Sequence, residues 1–317
     1  MTKALPTLEQ LPDIFSLNLN QMAAISLIGE ENSHYLQGQV TCDVLSLDEA
    51  KLLNGAHCNA KGKVFSVFRL FNYQDKHLLL QPKATLDVSL KELQKFGVFA
   101  KVEISQEDTL NFYALCGKQS GDEIAKMVAA VPDNLTPVIT ENGICVIYIG
   151  GSIPRYIIAT TKSFDDVIPS EIEALDEKVW ELLEINDGFP HLDTQHTDQY
   201  VPQMLNLQAI GAISFNKGCY LGQETVARMQ YLGKNKRALF SLSAQSSDQL
   251  DTITSVEQKL GENWRKAGDV LAYYQADSGD VFVQAVLASD IENDTSLRAK
   301  EVDSLICQIK PLPYSLT

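Results

Sequence analysis

The sequence predicts an α+β protein whose C-terminal part is a small antiparallel β-barrel or sandwich. Strand-like and helix-like segments alternate over the first half of the chain, and short β-rich runs separated by turn residues follow Lys236. The chain has 317 residues, which is longer than one hydrophobic core usually organises. We therefore expect two or three domains.

Two groups of strands and helices are predicted before residue 150. The first group has strands at 22–28, 52–58, 64–71, 77–81 and 98–104, with helices at 30–39 and 84–95. The second has strands at 110–115 and 144–149 around a helix at 121–130. Residues 59–62, Asn-Ala-Lys-Gly, suit a hairpin turn because Asn and Gly tolerate turn dihedrals. The grouping is compatible with two related modules, but no sequence repeat establishes them.

A further helix is predicted after Ser170. Ser170 and Glu173 match a capping box, and the apolar residues that follow share one helical face: Ile172, Leu175, Val179, Leu182 and Leu183. Trp180 lies beside this stripe, where its ring would touch both core and solvent. It could pack, as most helical tryptophans do, or stack on a flat heterocycle. Gly188 and Pro190 end the helix.

The remaining segment predicts the barrel. Its β-rich runs are 237–242, 256–260, 270–274, 281–287 and 305–309, and turn residues at 261–263 and 277–280 separate some of them. Since this region begins directly after residues 217–224, the latter are expected near a domain boundary, where ligand sites are common.

Composition narrows the class of protein. The net charge of −15 and the pI near 4.7 argue against a general nucleic-acid binder, because such proteins neutralise phosphates with Lys and Arg. The first residues lack the apolar core of a signal peptide, and the apolar runs are too short to span a bilayer, so a cytoplasmic protein without a membrane partner is expected. The six cysteines form no CxxC pair and no zinc-finger spacing.

The stretch Lys217–Glu224, KGCYLGQE, carries the most functional information. Cys219 lies between two glycines, near Lys217 and just before a segment that can be helical. A nearby ammonium and the amides of a helix start both favour the thiolate, which is the nucleophilic and metal-binding form of cysteine. Gly218 and Gly222 allow a sharp turn and a close approach to a ligand. The alternative is that Cys219 is a small buried residue in an ordinary turn.

Charge is unevenly distributed around this motif. Residues 165–198 contain eleven acidic residues and one basic residue. Residues 215–239 instead contain one acidic residue, Glu224, and five basic ones: Lys217, Arg228, Lys234, Lys236 and Arg237. The basic segment could attract an anionic small molecule, although a solvated helix end explains it equally well.

Familiar catalytic templates are absent from the sequence. It contains no GxGxxG, phosphate-binding loop, HExxH or GxSxG motif. None of the five histidines has a spacing that singles it out as a base for Cys219.

The residues 215–228, FNKGCYLGQETVAR, resemble the signature of the YgfZ family of folate-binding proteins, which are relatives of the glycine-cleavage T-protein. Further matching stretches lie in order along the chain: 35–44 (YLQGQVTCDV), 56–64 (AHCNAKGKV), 201–211 (VPQMLNLQAIG), 261–268 (GENWRKAG) and 310–316 (KPLPYSL). The resemblance thus spans nearly the whole chain.

The resemblance implies a ring-like, three-domain T-protein-like architecture with a C-terminal antiparallel β-barrel. Residues 1–235 would form a folate-binding region of two α+β modules, one inserted or interleaved around 50–105, and residues 236–317 would form the barrel. The expected ligand is tetrahydrofolate or a derivative, bound in the central opening.

The resemblance also implies roles for particular residues. Cys219 would be the functional thiol, with Lys217, Tyr220, Gln223 and Glu224 as neighbours in the motif. Trp180 falls where relatives carry a folate-associated tryptophan, and Met22 falls where they carry a second one, so a thioether would replace a ring there. Arg228 and Lys236 would supply positive charge for the glutamate tail of folate. No metal site is expected.

The leading hypothesis is a folate-binding accessory protein for iron–sulfur protein maturation, which would thereby support modification of some tRNAs and be linked to control of replication initiation. Its partners would be folate and iron–sulfur proteins or their assembly machinery, with direct tRNA binding disfavoured by charge. The alternative is a tetrahydrofolate-dependent one-carbon transferase, since the sequence leaves open whether a reaction is catalysed. An activated Cys219 could hold iron, accept sulfur or react with a folate-bound one-carbon unit.

Overall fold

The computed structural model describes residues 3–231, 233 and 235–316. Its strands form three sheets, the last of which closes into a barrel. The α-helices found in the described residues are α1 (Asn32–Gln37), α2 (Lys83–Gly97), α3 (Ser120–Ile124), α4 (Phe164–Val167), α5 (Lys178–Asp187) and α6 (Gln223–Tyr231). Short 3₁₀ turns lie at Leu8–Gln10, Val44–Ser46, Thr194–His196 and Pro202–Leu205. The predicted α+β class is confirmed.

Two five-stranded sheets interleave in the first half of the chain. The first sheet has the order β3-β4-β5-β2-β6, and the second has the order β1-β7-β10-β9-β8. The strands of the first are β2 (Met22–Ile28), β3 (Leu53–Cys58), β4 (Val64–Tyr73), β5 (Lys76–Pro82) and β6 (Glu103–Gln106). Those of the second are β1 (Phe15–Asn18), β7 (Asn111–Cys116), β8 (Val138–Glu141), β9 (Ile144–Tyr148) and β10 (Arg155–Thr160). Because β1 pairs with β7, β1 belongs to the second sheet although it precedes all strands of the first sheet in the sequence.

The C-terminal strands form the predicted antiparallel barrel. Six strands close in the order β11-β14-β13-β12-β15-β16. They are β11 (Arg237–Gln245), β12 (Ser255–Leu260), β13 (Asn263–Gln275), β14 (Asp280–Ala288), β15 (Leu297–Ala299) and β16 (Ile306–Lys310). Inward-facing Val and Leu side chains fill the barrel, so it is a packed core without a channel. The domain boundary at 235/236 stays a prediction.

One apolar core joins the three sheets. It contains Phe71 and Leu80 from the first sheet, Phe112 from the second, Trp180 from α5 and Tyr274 from β13. Helix α5 therefore packs at the centre of the molecule, where all three units meet. Where two of these units meet at the edge of the core, a cleft between them is a common place for a ligand site.

The structure corrects the predicted start of the central helix. Residues 170–177 are not helical, and α5 begins at Lys178. The capping-box pattern fails because the segment pairs with β1 instead: the Ser16 amide donates to the Glu173 carbonyl at 2.9 Å, and the Leu175 amide donates to the Ser16 carbonyl at 3.0 Å. Gly188 ends the helix in a left-handed conformation (φ 66°), as predicted.

Other differences lie in all three sheets. The helix predicted at 121–130 is one short helix, α3, followed by turns, and the strands β1, β8, β10 and β15 were not predicted. The strand predicted at 98–104 is wrong over residues 98–102, because β6 begins only at Glu103. Strand β10 is buried at every position, so it lacks the polar–apolar alternation that reveals a half-exposed strand. Among the helices of the described residues, none is long and apolar enough to cross a membrane.

Candidate functional site

Cys219 lies on the surface. It is exposed, whereas the other five cysteines are buried. Burial raises the pKa of the Cys42 and Cys116 thiols to about 12, which keeps them protonated and unreactive. The alternative view of Cys219 as a buried packing residue is therefore wrong, and Cys219 is the accessible thiol of the chain.

Lys217 has a different role from the one expected. Its ammonium donates three hydrogen bonds, at 2.6, 2.8 and 2.7 Å, to the backbone oxygens of Gln37, Val40 and Cys42. Its three donors are thus bonded to carbonyls at the end of α1 and in the segment that follows it, and burial lowers the pKa of its ammonium to about 8. The expectation that Lys217 supports a thiolate at Cys219 is not supported by this geometry. Lys217 instead anchors the cysteine loop to the first module.

The loop is also anchored on its other side. Gly222 has φ 83°, and a Cβ at this position would lie 2.4 Å from the backbone oxygen of Asn59. A Cβ on Gly62 would likewise lie 2.8 Å from the side chain of Thr225. The predicted hairpin turn between β3 and β4 therefore packs backbone to backbone against the start of α6. At Gly218 a Cβ would meet open space, so that glycine has no comparable packing requirement.

A shallow cavity of about 490 Å³ surrounds the thiol. Three of the predicted motif residues, Tyr220, Gln223 and Glu224, line it together with Cys219. Tyr220 is buried and lies with its ring centroid 5.1 Å from the Lys217 ammonium, which adds a cation–π contact beneath the loop. Phe96, at the end of α2, forms the apolar wall and is 43% exposed. The cavity is open and its residues form no deep pocket for a ring.

Trp180 and Met22 lie together in a second cleft of about 310 Å³. Met22 is at the start of β2 and Trp180 is on α5, so the cleft lies between the first sheet and the central helix. Only 3% of Trp180 is exposed, so the expectation that its ring touches both core and solvent is wrong: the side chain belongs to the central core and also lines the cleft.

Buried charges hold the Trp180 ring in place. The guanidinium carbon of Arg155 lies 4.7 Å from the ring centroid, and that of Arg69 lies 5.8 Å from it. Both arginines donate to the carboxylate of Glu184, at 2.8 and 3.0 Å. A second carboxylate, Asp187, pairs with Arg155 at 3.0 Å. This buried network was not predicted, because its members are far apart in the sequence.

Three carboxylates line the Trp180 cleft: Asp176, Glu177 and Glu181. Glu177 accepts a hydrogen bond from the Gln21 amide, and burial raises the pKa of both Glu177 and Glu181. Sequence reasoning did not assign these residues to the site. The available signal was the acidic run that includes all three, next to Trp180 in the chain.

The predicted basic residues lie elsewhere. Arg228 and Lys236 are exposed and line neither the thiol cavity nor the Trp180 cleft, and Lys234 falls outside the described residues. Three other cations, Arg237, Lys266 and Lys300, line a cavity of about 420 Å³ beside the barrel together with Asp269. Only Arg237 belongs to the basic segment noted in the sequence.

The candidate residues thus form two separate groups. Cys219 and its motif neighbours line one cavity, Trp180 and Met22 line another, and the two share no lining residue. Within the part of the chain that the structure describes, no group of three or more His, Cys, Asp or Glu side chains is arranged to hold a metal ion.

Comparison with known proteins gives consistent matches. A family model described as "YgfZ, beta-barrel domain" matches residues 235–302. A protein named tRNA-modifying protein YgfZ from Colwellia psychrerythraea is 54% identical over 317 residues, which cover 99% of this chain and 98% of that protein. The protein of the same name from Klebsiella pneumoniae is 38% identical over 304 residues, with coverage of 95% and 93%.

A solved structure shares the whole fold. The glycine cleavage system aminomethyltransferase T from Bartonella henselae superimposes with a TM-score of 0.71 and covers 98% of this chain and 87% of its own. The sequence identity is 14%, so the likeness concerns the fold alone. The T-protein-like architecture expected from the sequence is confirmed.

Proposed function

The chain belongs to the YgfZ family, and from this premise we propose that it is a folate-binding accessory protein that supports iron–sulfur protein maturation and thereby the modification of some tRNAs. Its relatives carry the name tRNA-modifying protein. The observation that carries the proposal is the cleft that Trp180 and Met22 line together with three carboxylates.

This cleft fits the head group of a reduced folate. A pterin has flat apolar faces and, along one edge, an amino group and a ring N–H that donate hydrogen bonds. Trp180 and Met22 offer apolar contact to such a ring. Glu177 and Glu181 offer carboxylate acceptors, and hydrogen bonds to a charged acceptor are the stronger ones. Bound folate would bring one-carbon chemistry, while these residues bind and orient its ring.

The position of Cys219 supports an accessory role. The Cys219 thiol is exposed in a shallow cavity, where it can contact a sulfur atom or an iron centre carried by another protein. Cys219 does not line the Trp180 cleft, so it is separate from the proposed folate site. The partners would be iron–sulfur proteins or their assembly machinery. Direct tRNA binding is disfavoured by the net charge of −15. The same charge disfavours DNA binding, so a link to replication initiation would be indirect.

Replacing Trp180 with phenylalanine tests the binding site. The change keeps an aromatic ring in the core but makes it smaller, which reduces the contact that this residue can offer in the cleft. We expect tetrahydrofolate affinity to fall by about 1 kcal/mol, or roughly fivefold. Calorimetric titration measures this directly. Trp264→Phe, which alters the other tryptophan, on β13 of the barrel, is the matched control and should bind normally. Equal affinity in Trp180→Phe and wild type would remove Trp180 from the site.

A second candidate function is folate-dependent one-carbon transfer. It is favoured by Glu177 and Glu181, because burial raises the pKa of both carboxyls, and a more basic carboxylate is a better general base. Incubation with methylene- or aminomethyl-tetrahydrofolate and candidate acceptors separates the two functions. We expect no multiple turnover. Repeated turnover that depends on Glu181 or Cys219 would establish the transferase instead.

A further inference from the structure

Three large apolar side chains are exposed together at the end of α2. Phe96 is 43% exposed, Val98 is 72% exposed and Phe99 is 98% exposed. The Ala100 amide donates to the Gly97 carbonyl at 3.0 Å, so the chain makes one further turn after the helix. Residues three apart on such a turn are neighbours on its surface, which puts Phe96 beside Phe99. We call Phe96, Val98 and Phe99 the apolar patch.

The packing of α2 on the first sheet leaves these side chains outside the core. The buried positions of the helix recur at helical spacing: Thr85, Leu86, Ser89, Leu93 and Gly97. A Cβ at position 97 would lie 2.7 Å from the Cδ1 atom of Ile104 on β6, so the end of the helix lies close against the sheet. The members of the apolar patch fall outside this buried stripe and remain in contact with solvent.

The apolar patch has the size of a functional protein surface. A phenylalanine side chain offers about 150–250 Å², so the three side chains together expose roughly 400 Å². The largest apolar patch on a monomeric protein is about 300–600 Å² and is often functional. A standard interface buries about 800 Å² on each partner. The patch is thus about half of one such surface, which fits a transient complex better than a permanent one.

The apolar patch adjoins the thiol cavity. Phe96 belongs to both, since it lines the cavity together with Cys219 and Glu224. A protein docked on the patch would therefore also cover the thiol. Leu135 provides the contrast: it is 91% exposed in the loop before β8, but it does not line the thiol cavity. Position beside Cys219, and not exposure alone, is what distinguishes the patch.

Two ammonium groups lie beside the thiol cavity. Lys61 follows Ala60, which lines the cavity, and the Lys95 ammonium lies 5.1 Å from the ring centroid of Phe96. Lys95 pairs with Glu92 at 3.2 Å, but such an exposed pair is weak and can be exchanged for another partner. The chain as a whole carries a net charge of −15. An acidic partner would thus be attracted at this face and repelled by the rest of the chain, which fixes its orientation.

We propose that the apolar patch is the docking surface for an acidic iron–sulfur protein whose sulfur or iron centre contacts Cys219. Phe99 enters an apolar pocket of that partner, and Lys61 and Lys95 face its carboxylates. The proposal rests on the proposed accessory function. Aromatic side chains near the centre of an interface often carry most of the binding energy. A second copy of this chain is the weaker occupant, because it would oppose two charges of −15 over half a standard interface.

Phe99→Ser tests the docking surface in cells that depend on the variant for tRNA modification. We expect the level of modified tRNA to fall at least about fivefold at native expression, because loss of a central aromatic side chain weakens binding about tenfold or more. The purified variant should keep the wild-type unfolding midpoint and tetrahydrofolate affinity, since Phe99 is exposed and does not line the Trp180 cleft. Overproduction should restore activity by mass action, whereas Cys219→Ala should stay inactive at any level.

Leu135→Ser is the matched control, because it removes an equally exposed apolar side chain away from the thiol cavity, and it should keep full activity. Full activity of Phe99→Ser at native expression would overturn the docking surface alone. Failure of overproduction to restore Phe99→Ser would also overturn it, because the defect would then not be one of affinity. If wild type itself does not support tRNA modification, the proposed function fails instead.

A photo-crosslinking probe identifies the occupant. A benzophenone-bearing phenylalanine analogue is placed at position 99, and at position 135 as the control. Illumination of cells should join position 99 to an acidic iron–sulfur protein or assembly protein, identified by mass spectrometry. Lys61→Glu combined with Lys95→Glu should reduce this adduct several-fold, because the charges would then repel. An adduct with a second copy of the chain or with RNA, the same adduct from position 135, or no adduct at all would overturn the assignment of the partner.

Discussion

Replacement of Glu184 by glutamine is expected to lower the free energy of unfolding by about 3 kcal/mol or more. Glu184 is the carboxylate that Arg69 and Arg155 share, and both arginine side chains are at most 4% exposed. Glutamine has nearly the same shape, so the loss would come from charge. Arg155 would keep Asp187, but Arg69 would remain buried without a close carboxylate. Urea unfolding measures the change as a shift of the midpoint at constant slope.

Glu181→Gln provides the control on the same helix. Burial raises the pKa of the Glu181 carboxyl, so its charged form is disfavoured in the folded protein, and a neutral isostere should leave stability unchanged or slightly increased. The fluorescence of Trp180 should shift in Glu184→Gln, because the indole lies against Arg155. If Glu184→Gln unfolds at the wild-type midpoint, the buried network does not stabilise the central core.

The sequence predicts those parts of the site that depend on nearby residues. The exposure of Cys219, the left-handed Gly222 and the start of α6 follow from one short motif, because turn and helix signals are local. Five of the six barrel strands were also predictable, since they are β-rich runs with inward-facing apolar positions, whereas the three-residue β15 was not predicted.

The missed features depend on long-range contacts. Lys217 was expected to act on Cys219, two residues away, but its ammonium is bound by carbonyls from residues 37–42, which no local pattern reveals. The capping-box signal at Ser170 was overridden by pairing with Ser16, more than 150 residues earlier. Tertiary hydrogen bonds therefore decided both cases against the local preference.

The positions of the basic side chains also depend on long-range contacts. Basic residues that are close in sequence, such as Arg228 on α6 and Lys236 just before β11, are exposed and line neither the thiol cavity nor the Trp180 cleft. Arg237, Lys266 and Lys300 are far apart in the sequence and line one cavity only because β11, β13 and the segment after β15 approach each other. Charge clustering in sequence is thus a weak guide to charge clustering in space.

Cys219→Ala is expected to abolish biological activity without affecting folding or folate binding. The side chain is small and exposed, so the free energy of unfolding should change by less than about 0.5 kcal/mol. Folate affinity should stay within about twofold of wild type, because Cys219 does not line the Trp180 cleft. Activity should be measured as the level of modified tRNA in cells that depend on the variant for this function.

Two further variants show whether sulfur itself is required. Cys219→Ser keeps the size and polarity of the side chain but not a thiol, so it should be as inactive as Cys219→Ala. Cys307→Ala, in the buried barrel core, should lose some stability yet retain activity. Full activity of Cys219→Ser would mean that a polar contact, and not thiol chemistry, is what the partner requires. Loss of folate affinity in Cys219→Ala would instead place the thiol at the folate site and favour the transferase, because a reacting thiol must lie within contact distance of the carbon unit it accepts.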